Sequence, residues 1–282
     1  MPTIFDGTNG LTFNDGTLMG SANSLGMRNA LFNADFRINQ RAYVSAATLA
    51  AGAYGHDRFK AGASGGDYSF TQLNSSTQVT IASGKSLIQV VEDKNVVGGS
   101  YVLSWTGTAL ARVGVNSATP SGTFVVSPLL ITGQTAGTTM SVEFNAGTLN
   151  TAQLELGTVA TPFERRPIGL ELALCQRYYY KEPASAYHMA ILDGSADFPS
   201  AFVYHPVEMR ATPTTVFESL LRFDYNSGSA SANFTPSGGT TAYVGNARLG
   251  VSRKNSISNA PASSNAQRNG QWDVQLSFST EL

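Results

Sequence analysis

The stretch Tyr101-Val-Leu-Ser-Trp-Thr106 carries the pattern that decides the fold. Its large side chains at Tyr101, Leu103 and Trp105 are two residues apart, so in an extended chain all three lie on one face. Similar apolar runs recur on either side, separated by Gly, Ser, Asn and Thr clusters at roughly 8–12-residue spacing, which is typical of an all-β sandwich. The strands predicted from this pattern are Tyr68–Leu73, Gln78–Ala82, Ser86–Val91, Tyr101–Thr106, Thr123–Val126, Met140–Phe144 and Ala152–Leu156.

The composition favours strands joined by small-residue turns. Charged residues make up 13% of the chain, against about 25% in an average soluble domain, and Gly, Ser and Thr contribute 28, 30 and 27 of the 282 residues. The 18 basic and 19 acidic side chains include no run of Lys or Arg, so we expect no nucleic-acid partner. No stretch approaches the roughly 18 apolar residues of a transmembrane helix, so we expect no membrane insertion. The single cysteine, Cys175, excludes an intrachain disulfide.

A second group of elements follows residue 167. The stretch Ile168–Lys181 is rich in helix formers and places Leu170, Leu174 and Tyr178 on one stripe, which predicts a linker helix. Its second half could instead be a strand, because three consecutive tyrosines have strong β propensity. A second, distal β-sandwich is predicted from the strands Phe198–His205, Thr214–Phe217, Leu220–Tyr225, Ala242–Val251 and Trp272–Ser279, with long exposed loops at Ser227–Gly239 and Ser256–Gln271.

The first thirty residues contain a near-repeat. Asp6-Gly-Thr8 and Asp15-Gly-Thr17 flank Leu11-Thr-Phe13, and their Asp-Gly pairs suit tight turns between very short strands. So small a segment cannot offset its own ordering entropy, so it would fold against copies of itself or against another protein. The alternative is a disordered leader. The predicted organisation is a terminal segment at 1–30, a first sandwich at 31–167 and a distal β-domain at 168–282.

Three passages carry a resemblance to known proteins. The first is Leu31-Phe-Asn-Ala-Asp-Phe-Arg-Ile-Asn-Gln-Arg41 with Tyr54-Gly-His-Asp-Arg-Phe-Lys60, and the second is Gln153–Glu164 running into Glu171–Tyr179. The third is Val207-Glu-Met-Arg-Ala-Thr-Pro213. The first is similar to the opening of a phage carbohydrate-binding-module jelly roll, the second to the segment that closes this module, and the third to an element of distal fibre domains. Together they resemble bacteriophage tail-fibre and receptor-binding proteins.

In that family's opening passage an Asn-Gly-Asp-Phe element precedes a Tyr-x-x-Asp-Arg-Trp element. This chain has Ala34 in place of the Gly and Phe59 in place of the Trp. The passage Leu11–Thr17 also resembles a fibre stalk repeat.

The resemblance implies both an architecture and a role. The implied architecture is all-β: a jelly-roll β-sandwich, a linker helix and a second distal β-sandwich, after a short N-terminal attachment segment. The implied role is a non-enzymatic, homotrimeric virion fibre, made in the host cytoplasm and exposed on the phage particle. It would bind other virion structural proteins through residues 1–30 and a host surface glycan through its β-domains during host adsorption. The alternatives are a purely structural collar, baseplate or capsid-decorating fibre that mediates protein contacts, and a polysaccharide depolymerase.

Residues capable of catalysis are scattered along the sequence. The three histidines and the cysteine match no zinc-site spacing, and the acidic residues show no recognisable pairing for hydrolysis. No nucleophile elbow, Walker loop or His-Glu-x-x-His motif occurs. We therefore expect no catalytic residues and no cofactor. The pair Arg165 and Arg166 before Pro167 is expected to hold the linker by bonding carbonyls or carboxylates.

The resemblance also raises a calcium site. It implies that Asn33, Asp35 and Glu155 could help ligate an ion where the ends of the module meet. The alternative is that Asn33 and Asp35 cap a turn, as Asx residues do routinely. We expect no metal.

Glycan binding requires exposed aromatic rings beside hydrogen-bonding groups. Trp105 alternates with Leu103, so a core position is the alternative for its ring. Tyr54 precedes Asp57 and Arg58, which could form an internal ion pair that pins the loop. The four candidates for a glycan site are Tyr54, Trp105, Tyr187 and His188. For Tyr187 and His188, the alternative is an ordinary position in a strand.

Overall fold

A computed structural model gives the fold of the chain. It describes residues 27–183, 204–214, 216 and 275–282 with their side chains. Elsewhere it describes only the backbone of strands, at residues 4–6, 10–12, 18–19, 187–192, 199–203, 215, 217, 221–225, 231–234, 241–243, 250–254 and 269–273.

The described chain is built from antiparallel sheets and divides into two compact units. The first comprises Met1–Glu171 with Leu282, and the second comprises Leu172–Glu281. The all-β sandwich class is therefore confirmed. The strands of the first unit are β1 (Ile4–Asp6), β2 (Gly10–Thr12), β3 (Leu18–Met19), β4 (Lys60–Ala61), β5 (Tyr68–Gln72), β6 (Thr77–Ile81), β7 (Leu87–Val91), β8 (Gly99–Thr106), β9 (Ala111–Gly114), β10 (Ser121–Val125), β11 (Leu129–Gln134), β12 (Met140–Phe144) and β13 (Gly147–Leu156).

Strands β1, β2 and β3 form a small antiparallel sheet in chain order. The very short strands expected in the first thirty residues are thus confirmed. The Asp-Gly turns proposed between them, at residues 7 and 16, lie outside the described residues.

Two five-stranded sheets form the sandwich. The first sheet has the order β10-β9-β12-β7-β4, and the second sheet has the order β11-β8-β13-β6-β5. All seven strands predicted for residues 68–156 are present, and the last begins earlier than expected, at Gly147. Three strands of the sandwich were not predicted: β4, β9 and β11.

The core lies between the two sheets and follows the period-two pattern. Leu103 and Trp105 point inward from β8, and Val142 and Phe144 point inward from β12. The rings of Trp105 and Phe144 meet edge to face, with centroids 5.5 Å apart. Each such large side chain stabilises the fold by about 1.5–3 kcal/mol through removal of its apolar surface from water.

Strand β13 holds the second sheet together along its whole length. Its first residues pair with β6, from Gly147 opposite Ile81, and its later residues pair with β8, as far as Leu156 opposite Tyr101. Thr151, with φ 48°, lies where the register changes. A single ten-residue strand therefore joins β6 to β8.

A buried polar network centred on Arg166 joins the two ends of the sandwich segment. Its guanidinium donates to the carbonyl oxygens of Asn29 and, at 3.2 Å, Leu31. It also forms ion pairs with Glu164 and Glu171, each at 3.4 Å. The expectation that Arg166 bonds carbonyls and carboxylates is confirmed, and the network fixes the chain that follows β13 onto the chain that precedes β4.

We predict that Arg166→Leu lowers the free energy of unfolding by about 3–5 kcal/mol, because it leaves buried carboxylates without their cation. The matched control is Arg165→Leu, since that exposed guanidinium donates to one carbonyl, Ser75, at 2.6 Å. The control should change stability by less than about 1 kcal/mol. Urea denaturation of the full chain measures both, and equal losses would contradict the central role of Arg166.

A cluster of aromatic rings encloses His56. The ring meets Phe36 and Phe70 edge to face, at centroid distances of 5.9 and 4.8 Å. The Tyr68 hydroxyl accepts from the backbone N–H of His56 and lies 2.7 Å from its Nδ1. Burial lowers the pKa of His56 to about 4 from 6.5, because desolvation disfavours the imidazolium. The imidazole is therefore neutral in the folded protein at physiological pH.

This neutral histidine generates a pH dependence of stability. Between pH 6.5 and about 4 the unfolded chain binds a proton at His56 that the folded chain does not. The free energy of unfolding should therefore fall as pH falls through this window, with about 3 kcal/mol coming from this group. In an NMR titration of the full chain, the His56 ring should remain neutral down to about pH 5. Titration near the ordinary histidine value would contradict the described burial.

The second unit contains a helix and ten strands among its described residues. Helix α1 spans Ile168–Gln176, and its first four residues belong to the first unit. The predicted helix to Lys181 was too long, and the strand alternative is confirmed for Tyr179–Lys181 alone. The strands are β14 (Tyr179–Lys181), β15 (Tyr187–Leu192), β16 (Pro199–Tyr204), β17 (Thr214–Phe217), β18 (Leu221–Tyr225), β19 (Ser231–Phe234), β20 (Thr241–Tyr243), β21 (Gly250–Lys254), β22 (Asn269–Asp273) and β23 (Leu276–Ser279).

These strands form two antiparallel sheets, one of order β14-β23-β17 and one of order β19-β18-β22-β15-β16-β21-β20. Several predictions for this region were wrong. The single strand expected at Ala242–Val251 is two strands, β20 and β21, and the one at Trp272–Ser279 is divided between β22 and β23. The loop expected at Ser227–Gly239 contains β19, and β22 takes the end of the loop expected at Ser256–Gln271, whose residues 256–268 lie outside the described part. No helix in the described residues has both the length and the apolar character needed to cross a membrane.

Candidate functional site

A surface cavity of about 310 Å³ lies at one end of the first sheet. Its walls are formed by residues on the outward face of three strands and in the loops beside them. It is lined by Ala63, Ser64, Gly84, Lys85, Ser86, Arg112, Phe124, Glu143, Asn145 and Ala146.

The register of the first sheet places the polar lining residues. Phe144 is opposite both Leu87 and Ala111, and all three are fully buried in the core. Side chains alternate between the two faces of a strand, so the preceding residue of β12, Glu143, and its partner on β9, Arg112, point to the outer face. Two outward side chains on neighbouring strands therefore meet at the cavity.

Glu143 is buried although it lies on the outer face, with 4% of its surface exposed. Its Oε1 accepts from the Ser86 hydroxyl at 2.6 Å, and its Oε2 accepts from Nε of Arg112 at 2.6 Å. A Cβ atom at position 62 would lie 2.0 Å from Oγ of Ser86, so Gly62 leaves the space that this hydroxyl occupies. Both oxygens of the carboxylate are thus held by neighbouring donors.

Arg112 connects this carboxylate to an aromatic ring. Its guanidinium carbon lies 4.6 Å from the centroid of the half-buried Phe124 ring on β10, a cation–π arrangement. Its Nη1 lies 3.4 Å from the Gly122 carbonyl oxygen. Since Nε is already bonded to Glu143, the guanidinium is fixed in orientation with its Nη edge available at the cavity.

Two further donors complete the lining. Nζ of Lys85 donates to the Ser64 carbonyl at 2.9 Å and lies 3.6 Å from the carboxylate of Asp67. Oδ1 of Asn145 accepts from the backbone N–H of Leu110 at 2.8 Å, which directs its amide group away from that contact. The cavity thus combines one aromatic ring with several fixed hydrogen-bonding groups, a chemistry suited to a small polar ligand.

Trp105, a predicted glycan-binding residue, does not line the cavity. The ring is 6% exposed, its Nε1 donates to the Ala109 carbonyl at 2.7 Å, and it packs against Phe144 in the core. This placement corrects the expectation of an exposed glycan-binding ring at Trp105, because the alternation with Leu103 turns the indole inward. The core alternative for Trp105 is confirmed.

Tyr54 is half-buried and its ring is used within the protein. Its hydroxyl donates to the Leu282 carbonyl oxygen at 2.6 Å, and the Arg41 guanidinium lies 5.0 Å from the ring centroid. Asp57 pairs with Arg41 at 3.2 Å, and Arg58 donates to the carbonyl oxygen of Val90 at 2.6 Å. These contacts pin the loop that carries Tyr54, which does not line the cavity.

Tyr187 and His188 begin strand β15 and pair with Asp273 and Trp272 on β22. The strand alternative for both residues is confirmed, while their side chains lie outside the described part of the chain. They remain predicted glycan-binding candidates.

Asn33, Asp35 and Glu155, the residues raised as calcium ligands, bond to the protein. Oδ1 of Asn33 accepts from the backbone N–H of Ile38 at 2.8 Å, and its Nδ2 donates to the Ile38 carbonyl at 2.7 Å. Asp35 pairs with Arg37, and Glu155 accepts from the Thr161 backbone at 2.8 Å. The turn-capping role is therefore confirmed for Asn33. Within the residues that the structure describes, no three His, Cys, Asp or Glu side chains are grouped to hold a metal ion.

Sequence reasoning missed the residues that line the cavity. Glu143 could have been found, because the apolar alternation of Met140–Phe144 already places it opposite the core face. Arg112 and Phe124 could not, because strand β9 was not predicted and neighbours in a sheet depend on strand order. Comparisons of the sequence with protein-family models and with curated proteins find no match.

We predict that Ser86→Ala lowers the free energy of unfolding by about 1–3 kcal/mol, because one buried oxygen of Glu143 loses its donor. Ser64→Ala is the matched control, since Ser64 is exposed and, among the residues that the structure describes, only its backbone carbonyl is hydrogen-bonded. The control should stay within about 0.5 kcal/mol of the wild type. Thermal or urea unfolding measures both, and equal stability of Ser86→Ala and wild type would contradict the described contact.

Proposed function

We propose that this chain is a non-enzymatic fibre protein of a phage virion that binds a host surface glycan. The single observation that supports glycan binding is the cavity on the first sheet, where Phe124, Arg112 and Glu143 form one fixed assembly. Carbohydrate sites combine an aromatic face with polar groups of fixed orientation, and this assembly has both. The glycan would be bound by the outer face of the sandwich.

A binding role without catalysis is supported by the state of the carboxylate. Glycoside hydrolysis uses two carboxyl groups on either side of the scissile bond. Among the described residues that line the cavity, Glu143 alone carries a carboxylate, and both of its oxygens are bonded to Ser86 and Arg112. The group is therefore arranged to position Arg112.

The virion part of the proposal is supported by the three sequence passages that resemble tail-fibre and receptor-binding proteins. Residues 1–30 would attach the chain to other virion proteins, and the β-domains would face the host. The same resemblance is the basis for proposing a homotrimer, in which several copies of a small cavity would gain avidity through effective concentration. A cavity of about 310 Å³ is at the small end of the range for ligand sites, which suits this multivalent mode.

The test is binding of the full chain to an array of bacterial surface polysaccharides. We expect Phe124→Ala to weaken binding by about tenfold, because the ring supplies the apolar contact of the site. Val126→Ala is the matched control, since Val126 lies just beyond the same strand, is 68% exposed and does not line the cavity. It should bind as the wild type does. Absence of binding to every polysaccharide would overturn glycan binding, whereas equal weakening by both variants would move the site away from the cavity.

A further inference from the structure

The hydrogen-bonding groups of the cavity are unequally used by the protein itself. The acceptors are largely satisfied: Glu143 bonds to Ser86 and Arg112, and the Asn145 oxygen bonds to the Leu110 backbone. A ligand that enters therefore meets few unoccupied side-chain acceptors.

The donors are in excess. Nε of Arg112 is bonded to Glu143, and the Nη1 contact with Gly122 is long at 3.4 Å, so the Nη edge retains N–H groups for a ligand. Lys85 carries three N–H donors, and its contacts among the described residues are with Ser64 and Asp67. The Nδ2 amide of Asn145 makes no hydrogen bond within the described part of the chain.

The charged side chains of the lining favour an anionic ligand, as the excess of hydrogen-bond donors does. Arg112 and Lys85 are both cations, and the carboxylate of Glu143 is engaged by Arg112. The acidic partner of Lys85, Asp67, does not line the cavity, and the side chains of this pair are 31% and 27% exposed. Water screens such an exposed pair, so the ammonium group can exchange Asp67 for a ligand anion at little cost.

A carboxylate is the ligand group that matches this surface. It accepts hydrogen bonds at both oxygens and donates none, whereas each sugar hydroxyl must also find an acceptor. The Nη edge of a guanidinium presents two parallel donors to such a group, and an ammonium adds a point charge. We infer that the cavity binds a saccharide that carries a carboxylate, with Arg112 and Lys85 as the groups that select the acidic sugar. This inference rests on the proposed glycan binding and names its substrate class.

The experiment compares native polysaccharides with the same polysaccharides after chemical reduction of their carboxyl groups. Oligogalacturonate and its methyl ester serve as a defined pair with one backbone. For a glycan that it binds, the full chain should bind the acidic form about tenfold or more tightly than the neutral form. The neutral form lacks the two charge-assisted contacts that the carboxylate makes. Raising NaCl from about 50 to about 500 mM should weaken binding of the acidic form selectively.

Lys85→Gln should bring the ratio of acidic-form to neutral-form affinity most of the way to one, because the variant removes the ammonium charge while keeping hydrogen-bond donors. The matched control is Lys94→Gln, which removes the same charge from an exposed residue in the turn Asp93–Asn95, at the opposite end of β7 from Ser86. It should retain the full preference. A preference that survives Lys85→Gln would overturn the assignment to this cavity.

The remaining outcomes separate this inference from the proposed function. Equal binding of native and reduced polysaccharides, with loss in Phe124→Ala, would overturn acid selection while glycan binding at the cavity stands. Equal binding of dextran sulfate and oligogalacturonate would show a general anion site and overturn the carboxylate class. Absence of binding to every glycan, acidic or neutral, would overturn both proposals.

Discussion

The Arg166 guanidinium is placed where water cannot compensate its charge, and the sandwich is arranged around that constraint. Carbonyls from Asn29 and Leu31 and the carboxylates of Glu164 and Glu171 surround it, so segments more than 130 residues apart meet at one side chain. A buried cation tolerates little displacement of its partners, because each lost contact leaves a charged group unsolvated. The chain after β13 is therefore held in one position against the segment before β4.

The cavity on the first sheet also depends on an ion pair with a buried member, here between Glu143 and Arg112. Glu143 is buried and satisfied by Ser86 and Arg112, so its role is to orient the guanidinium that a ligand would meet. The cation–π contact with Phe124 restrains that guanidinium from a second direction. Preorganisation of this kind reduces the entropy that a side chain loses when a ligand binds, and a small cavity depends on it more than a large one.

The apolar pattern of the sequence predicted seven strands of the sandwich and missed β4, β9 and β11. Met140–Phe144 was found with its correct bounds, because every second residue is apolar and faces the core. In β11 the exposed Leu130 stands beside the buried Ile131, so apolar residues occupy both faces and hide the period. Strand β9 is too short to show one. The cavity was beyond reach for the same reason, since Arg112 on β9 joins Glu143 only through strand order, which local spacing does not encode. Trp105 shows the reverse case: it was a glycan-binding candidate, although its alternation with Leu103 already indicated the core position that the structure gives it.

Residues along β12 alternate between the core and the cavity, and this alternation determines which positions can vary during evolution. Val142 and Phe144 face the core, where substitution disturbs packing, while Glu143 between them faces the cavity. The other lining residues come largely from loops at residues 63–64, 84–86 and 145–146. Apart from Ser86, which is buried against Glu143, mutations there leave the core side chains of both sheets untouched. Under the proposed function, the range of hosts recognised could therefore diverge rapidly between related viruses, while the sandwich that carries the site is conserved by selection for folding.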